Sequence, residues 1–285
     1  MERPIQGLPP LAPEPAPSRR SLVKRAGGPL LVGGILAVKF AAKLKVLLLL
    51  VTKVKLLTTS ATMLVSIAAY SLIWGWRFAV GFVLLLLVHE LGHVIQLRRE
   101  GIEASAPMFI PFLGAVVAAK SLGGNALAEA RVGLAGPVLG TAGAALLIPF
   151  AEAADSDLLR ALAFTGFFLN LFNLLPVLPL DGGRAMAAMA PWMWLLGFGG
   201  LVVLTFVSPN PIMLLILLFG GMETFRRWKL RRAGADGHDE AYYEVKPLHR
   251  AAVAAVYIGL IALLALGMEA THVERTFEDV PHARA

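Results

Sequence analysis

No cysteine occurs anywhere in the 285 residues. That absence excludes disulfide frameworks, thiolate metal sites and cysteine nucleophiles together, and leaves the redox compartment open. Any bound metal must be held by nitrogen and oxygen. Charge is scarce as well: Asp, Glu, Lys and Arg make up 16% of the chain against 57% apolar residues, and the mean hydropathy is +0.71. A water-facing surface cannot be assembled from so few charges. Several apolar runs approach or exceed the roughly 20 residues needed to cross a hydrocarbon core, so the sequence is that of a polytopic membrane protein. The net charge of +7 does not point to nucleic acid. Its sources, such as Arg226, Arg227, Lys229, Arg231 and Arg232, directly follow an apolar run, where they set topology and contact lipid headgroups.

Residues 1–28 hold many of the prolines and the basic group Arg19, Arg20, Lys24 and Arg25 without apolar periodicity, which predicts a disordered cytoplasmic tail. The apolar stretch from Pro29 to Val51 is long and lacks a clear cleavage pattern, so it reads as a retained segment rather than a signal peptide. Lys39, Lys43 and Lys45 within it favour a helix lying in the interface or snorkelling. Seven further runs follow: Leu56 to Trp74, Phe78 to Leu97, Val132 to Phe150, Leu158 to Leu178, Ala185 to Val207, Pro211 to Phe225 and Ala251 to Met268. Basic connectors alternate with the acidic connector holding Glu152, Asp155 and Asp157, and placing basic ends in the cytoplasm gives a consistent zigzag. Between Glu103 and Lys120 the chain is apolar but broken by Pro107, Pro111 and Gly114. This predicts a small membrane-associated β-hairpin bordering a cleft, because irregular backbone survives at membrane depth only when shielded or wetted. The expected fold class is all-α and polytopic, with about six to eight hydrophobic helices plus that hairpin.

Chemistry concentrates in the second of these runs, where His89, Glu90, Leu91, Gly92 and His93 form an HExxH pattern. On a helix the two histidines lie one turn apart on one face, so both imidazoles can reach one zinc ion while Glu90 flanks it as a general base. Three ionisable groups in an apolar span cost about 2.5 to 3.5 kcal/mol each at a helix centre unless paired or wetted. A buried polar cluster that merely pins helices together is the bland explanation; a metal ion answers the energetic objection directly. A hydrolytic zinc site needs a third protein ligand. His238, His249, His272 and His282 lie in polar connectors or the C-terminal region, Asp155 and Asp157 fall on the opposite side of the membrane, and Glu223 adjoins a basic stretch. Asp181, between a long apolar run and Gly182–Gly183, is the best candidate.

The combination of His89, Glu90 and His93, of Gly136, Pro137 and Gly140, and of Asn173, Pro176, Pro179, Leu180, Asp181, Gly182 and Gly183 resembles the site-2 proteases, intramembrane zinc metalloproteases. The resemblance covers a core from about residue 56 to 207. It implies that Asp181 is the third zinc ligand, that one Zn2+ is bound per chain, and that Asn173 lies near the metal and supports substrate. It further implies a transmembrane protein substrate held in the lipid bilayer. The supporting residues also have packing explanations: Asn173 and Asn170 as interhelical hydrogen-bonding groups, Gly136 and Gly140 as a close-packing face, Pro176 and Pro179 as helix terminators, and Gln96 as a polar neighbour of the site.

The expected organisation is a tail at 1–28, a transmembrane metalloprotease domain at 29–268 and a polar tail at 269–285. The short spacing after His93 and the short end predict neither an inserted peptide-binding domain nor a nucleotide-binding module, and substrate selection is expected to fall to the membrane core, its connectors or a separate adaptor protein. The expected location is a prokaryotic plasma membrane with the site toward the cytoplasm. Two other readings compete. An inactive client-binding relative is opposed by the intact His89, Glu90, His93 and Asp181. A metal or ion transporter is opposed by the scarcity of polar residues in the other spans.

Overall fold

A computed structural model describes residues 57–119, 123–207, 211–233 and 240–272. The expectations for residues 1–28 and 29–51, and for the tail after His272, lie outside the described residues. Eight α-helices are present among them: α1 (Leu57–Trp74), α2 (Trp76–Arg99), α3 (Ala126–Ala153), α4 (Asp157–Asn173), α5 (Asp181–Met189), α6 (Met193–Val207), α7 (Pro211–Ala233) and α8 (Pro247–Thr271). A two-stranded antiparallel sheet, β1 (Met108–Ile110) and β2 (Gly114–Val116), pairs Phe109 with Ala115.

This is an all-α integral membrane protein with a hairpin. Four helices, α1, α2, α3 and α8, are long and apolar enough to cross a bilayer. Large apolar side chains point outward, Leu72 at 89% and Phe206 at 82% exposure among them, as a lipid-facing surface requires and a water-facing one forbids.

Two of the apolar runs are cut short or broken where prolines fall. The run read as Leu158 to Leu178 forms helix only to Asn173, because Pro176 and Pro179 cannot supply backbone donors and push the preceding residues toward extended backbone. The run read as one span from Ala185 to Val207 is two helices, broken at Ala190, whose φ of −162° and ψ of 94° are extended. Pro191 follows it and imposes that conformation.

The caps follow local chemistry. Asn125 starts α3 by accepting from the Ala128 N–H, and Ser156 starts α4 by accepting from the Leu159 N–H, each satisfying a donor that the first helical turn leaves unpaired. The acidic connector between α3 and α4 is paired with Arg160, whose guanidinium lies 2.8 Å from Asp155 and 3.1 Å from Asp157.

α3 is the central element: it packs along α2, α4, α5 and α8. The hairpin docks on a polar stripe of α1. Thr59 Oγ1 donates to the Pro107 carbonyl at 2.8 Å, the Phe109 N–H to Thr62 Oγ1 at 3.2 Å and the Phe112 N–H to the Tyr70 hydroxyl at 3.0 Å. Those bonds occupy the β1 side of the hairpin.

Candidate metal centre

The HExxH residues lie on α2 as their spacing requires. His89 and His93 sit ten and six residues before its last residue, Arg99, so about 15 and 9 Å from that end at 1.5 Å per residue. Both rings are buried. Asp181 is the first residue of α5, and its carboxylate Oδ2 lies 3.1 Å from His89 Nε2 and 3.2 Å from His93 Nε2. The two Nε2 atoms are themselves 3.1 Å apart.

The other ring nitrogens decide what this triangle is. His93 Nδ1 lies 2.8 Å from the Val132 carbonyl, which can only accept, so Nδ1 carries the proton and donates. His89 Nδ1 lies 2.8 Å from Asn170 Oδ1, and the Asn170 amide N–H donates to the Gly166 carbonyl, which fixes the amide with its oxygen toward His89. In their neutral forms both imidazoles therefore present bare Nε2 lone pairs to one point, together with a carboxylate oxygen. Three converging acceptors in an apolar interior need a cation. Donors of a tetrahedral zinc site with bonds of about 2.0–2.1 Å stand about 3.3 Å apart, close to the spacing here. His89, His93 and Asp181 can hold one metal ion, and the donor set of two imidazoles and one carboxylate suits Zn2+ with a coordination position left open.

Small residues of α3 make the approach possible. A Cβ on Gly136 would lie 2.3 Å from His93 Nε2, and one on Gly140 would lie 2.2 Å from Asn170 Oδ1. The close-packing face is thus packed against the site residues themselves. Asp181 is delivered by the turn after α4, which holds the cis Leu178–Pro179 bond. Trp194 Nε1 donates to the Gly183 carbonyl at 2.6 Å, and the Tyr257 hydroxyl donates to the Leu174 carbonyl. Through Tyr257, α8 anchors that turn, a role that no sequence pattern signals.

Glu90 is buried and lines a cleft of about 360 Å³ together with His89, Asn173, Tyr70, Phe112 and Gly114. Asn173 faces this cleft while its amide N–H donates to the Leu169 carbonyl at 3.0 Å. The asparagine bonded to a site histidine is Asn170, one turn earlier. Gln96 donates to Glu100 at 2.8 Å and lines a separate groove rather than the cleft.

Residues 77–154 match the model of peptidase family M50, a segment that contains the histidine pair and the whole of α3. A zinc metalloprotease of Methanocaldococcus jannaschii is 29% identical over 163 residues, which cover 54% of this chain and 45% of that protein. Over that segment the chain is similar to the zinc metallopeptidases of family M50. Rip3 of Mycobacterium tuberculosis is 33% identical over 150 residues, 47% of this chain and 36% of Rip3. The matches therefore span less than half the length of either relative. The similarity to zinc metalloproteases implies Zn2+ at this centre, in agreement with the donor set that α2 and α5 bring together.

Proposed function

We propose that this chain is an intramembrane zinc metalloendopeptidase that hydrolyses peptide bonds in or near the transmembrane segments of membrane proteins. The observation that carries the reading is the triangle of His89 Nε2, His93 Nε2 and Asp181 Oδ2, with sides of 3.1 to 3.2 Å, beside a cleft into which Glu90 faces. His89, His93 and Asp181 are the proposed ligands. Zinc, when bound, supplies Lewis acidity that polarises a carbonyl and acidifies water. Glu90 takes the proton of the attacking water and returns it to the leaving amine. Asn170 and the Val132 carbonyl hold the two imidazoles in the required tautomer and orientation. Asn173, facing the same cleft, hydrogen-bonds the substrate backbone.

A peptide bond in a transmembrane helix is shielded, so hydrolysis requires local unwinding. The hairpin supplies the alternative pairing. With β1 held against α1, the free edge is β2, whose Gly114 and Ala115 line the cleft, and an extended substrate segment adds there as a further strand. We place the site toward the cytoplasm because α2 closes on Arg98 and Arg99. The working unit extends beyond the 56–207 core to α8, since Tyr257 holds the turn before Asp181.

The test is cleavage of a model transmembrane substrate by purified protein, wild type against Glu90→Gln, with bound zinc measured in both. Cleavage lost in the variant while zinc is retained supports the reading. Zinc bound without cleavage of any of several substrates would leave a client-binding role in its place.

A further inference from the structure

Helices α2, α3 and α8 enclose a second groove of about 690 Å³, within the range of sites that hold small molecules. It shares no lining residue with the cleft. Its floor is closed where Gly92 meets α3: a Cβ on Gly92 would lie 2.2 Å from the Ala135 carbonyl oxygen.

The groove is polar at one end and apolar along the rest. Arg99 at the end of α2, Arg131 near the start of α3, and His249 at the start of α8 mark the polar end, with Gln96 beside them. Away from it the lining is Leu134, Val138, Leu139, Val253 and Val256. From Leu127 to Leu139 the groove follows α3 for twelve residues, or about 18 Å. Glu100 is the acidic group nearby, 3.6 Å from Arg131, and it leaves the end net positive. Arg99, Arg131 and His249 are exposed and lie where α2 ends and α3 and α8 begin, at the ends of three helices long and apolar enough to cross a bilayer.

From this juxtaposition we infer that the groove is a binding site for an anionic phospholipid, with the phosphate at Arg99, Arg131 and His249 and an acyl chain along α3 toward Val138 and Val256. Basic pockets between membrane helices at the cytoplasmic side take anionic headgroups by this chemistry. The lysine-bearing stretch 29–51 of this chain is a poorer occupant, since it would bring like charges to the two arginines. A bound lipid spans α2, α3 and α8, and so braces the back of the helix pair that carries His93 and Val132. The inference rests on the membrane placement and is independent of peptidase activity.

The experiment uses the full chain in phosphatidylcholine nanodiscs doped with phosphatidylglycerol or phosphatidylcholine, each carrying a photoactivatable group at the end of one acyl chain, and maps the labelled peptides. The expected result is labelling of α3 and α8 peptides containing Val138 and Val256, with phosphatidylglycerol preferred by about fivefold for each arginine engaged. Arg99→Gln with Arg131→Gln removes the preference. Val138→Trp fills the apolar end, keeps the charges, and lowers labelling by both lipids. Equal labelling of the wild type by the two lipids overturns the proposal without recourse to any variant. Labelling spread evenly over lipid-facing helices, or occupation of the groove by a protein segment that excludes both probes, overturns it too.

Discussion

Gly136 lies directly against the His93 ring, so that a Cβ added there would stand 2.3 Å from Nε2, the atom that faces Asp181. The neighbour that must give way is a proposed ligand held at its other nitrogen by Val132, on the same helix as the glycine. Gly136→Ala therefore moves the imidazole off the metal axis. Misplacement of a reacting group by about 1 Å costs on the order of 100-fold, so cleavage should fall at least that far and bound zinc should drop, with helical content unchanged by circular dichroism. Full zinc occupancy in the variant would contradict this geometry.

Asn170 and Asn173 are separable. Asn170→Ala removes the acceptor that orients His89 and should weaken metal affinity by about 10- to 100-fold, read by titration against a competing chelator. Asn173→Ala touches only the cleft and should lower cleavage while leaving the chelator titration at the wild-type position. If the two variants titrate alike, the assignment of roles is wrong.

The hairpin depends on Tyr70. Phe112 has a φ of 66°, a conformation that bulky side chains rarely adopt, and its N–H is held by the Tyr70 hydroxyl. Tyr70→Phe removes that partner and should destabilise the hairpin by about 0.5–1.5 kcal/mol. The expected signature is faster amide exchange over residues 108–116, with zinc binding intact and cleavage reduced; unchanged exchange would show that the hydroxyl does not hold the turn.

Removing the metal should also be visible as lost stability. A ligand present at about 1,000 times its dissociation constant adds roughly 4 kcal/mol to the state that binds it. A strong chelator should lower the thermal midpoint of wild type and leave that of Asp181→Ala nearly where it began. A matching drop in both proteins would mean that the chelator acts elsewhere.

What the sequence disclosed follows from how local each feature is. The histidine pair is local: four residues on a helix place both rings on one face whatever surrounds them. The hairpin was legible because Pro107, Pro111 and Gly114 interrupt an apolar run. Asp181 needed more, since its approach to α2 is a tertiary event, and elimination together with the family pattern supplied it. The roles of Asn170 and Asn173 could not be separated. They stand three residues apart on α4, and which one meets His89 depends on how α4 rotates against α2, a relation written in no short segment. The break between α5 and α6 was written in Pro191 and outweighed by the hydrophobicity around it. Tyr257 carried no signal, because a tyrosine in an apolar span acquires its meaning from the carbonyl that it meets.

The proposed ligands are made at different times: Asp181 follows His93 by 88 positions. At elongation rates of about 5–20 residues per second, several seconds pass between the appearance of the histidine pair and that of its carboxylate partner, and Tyr257, which steadies the turn before Asp181, comes later still. A nascent chain inserted only through α4 carries two imidazoles and Glu90 but no completed centre. The proposed centre is thereby incomplete until the fifth of the eight described helices has been made.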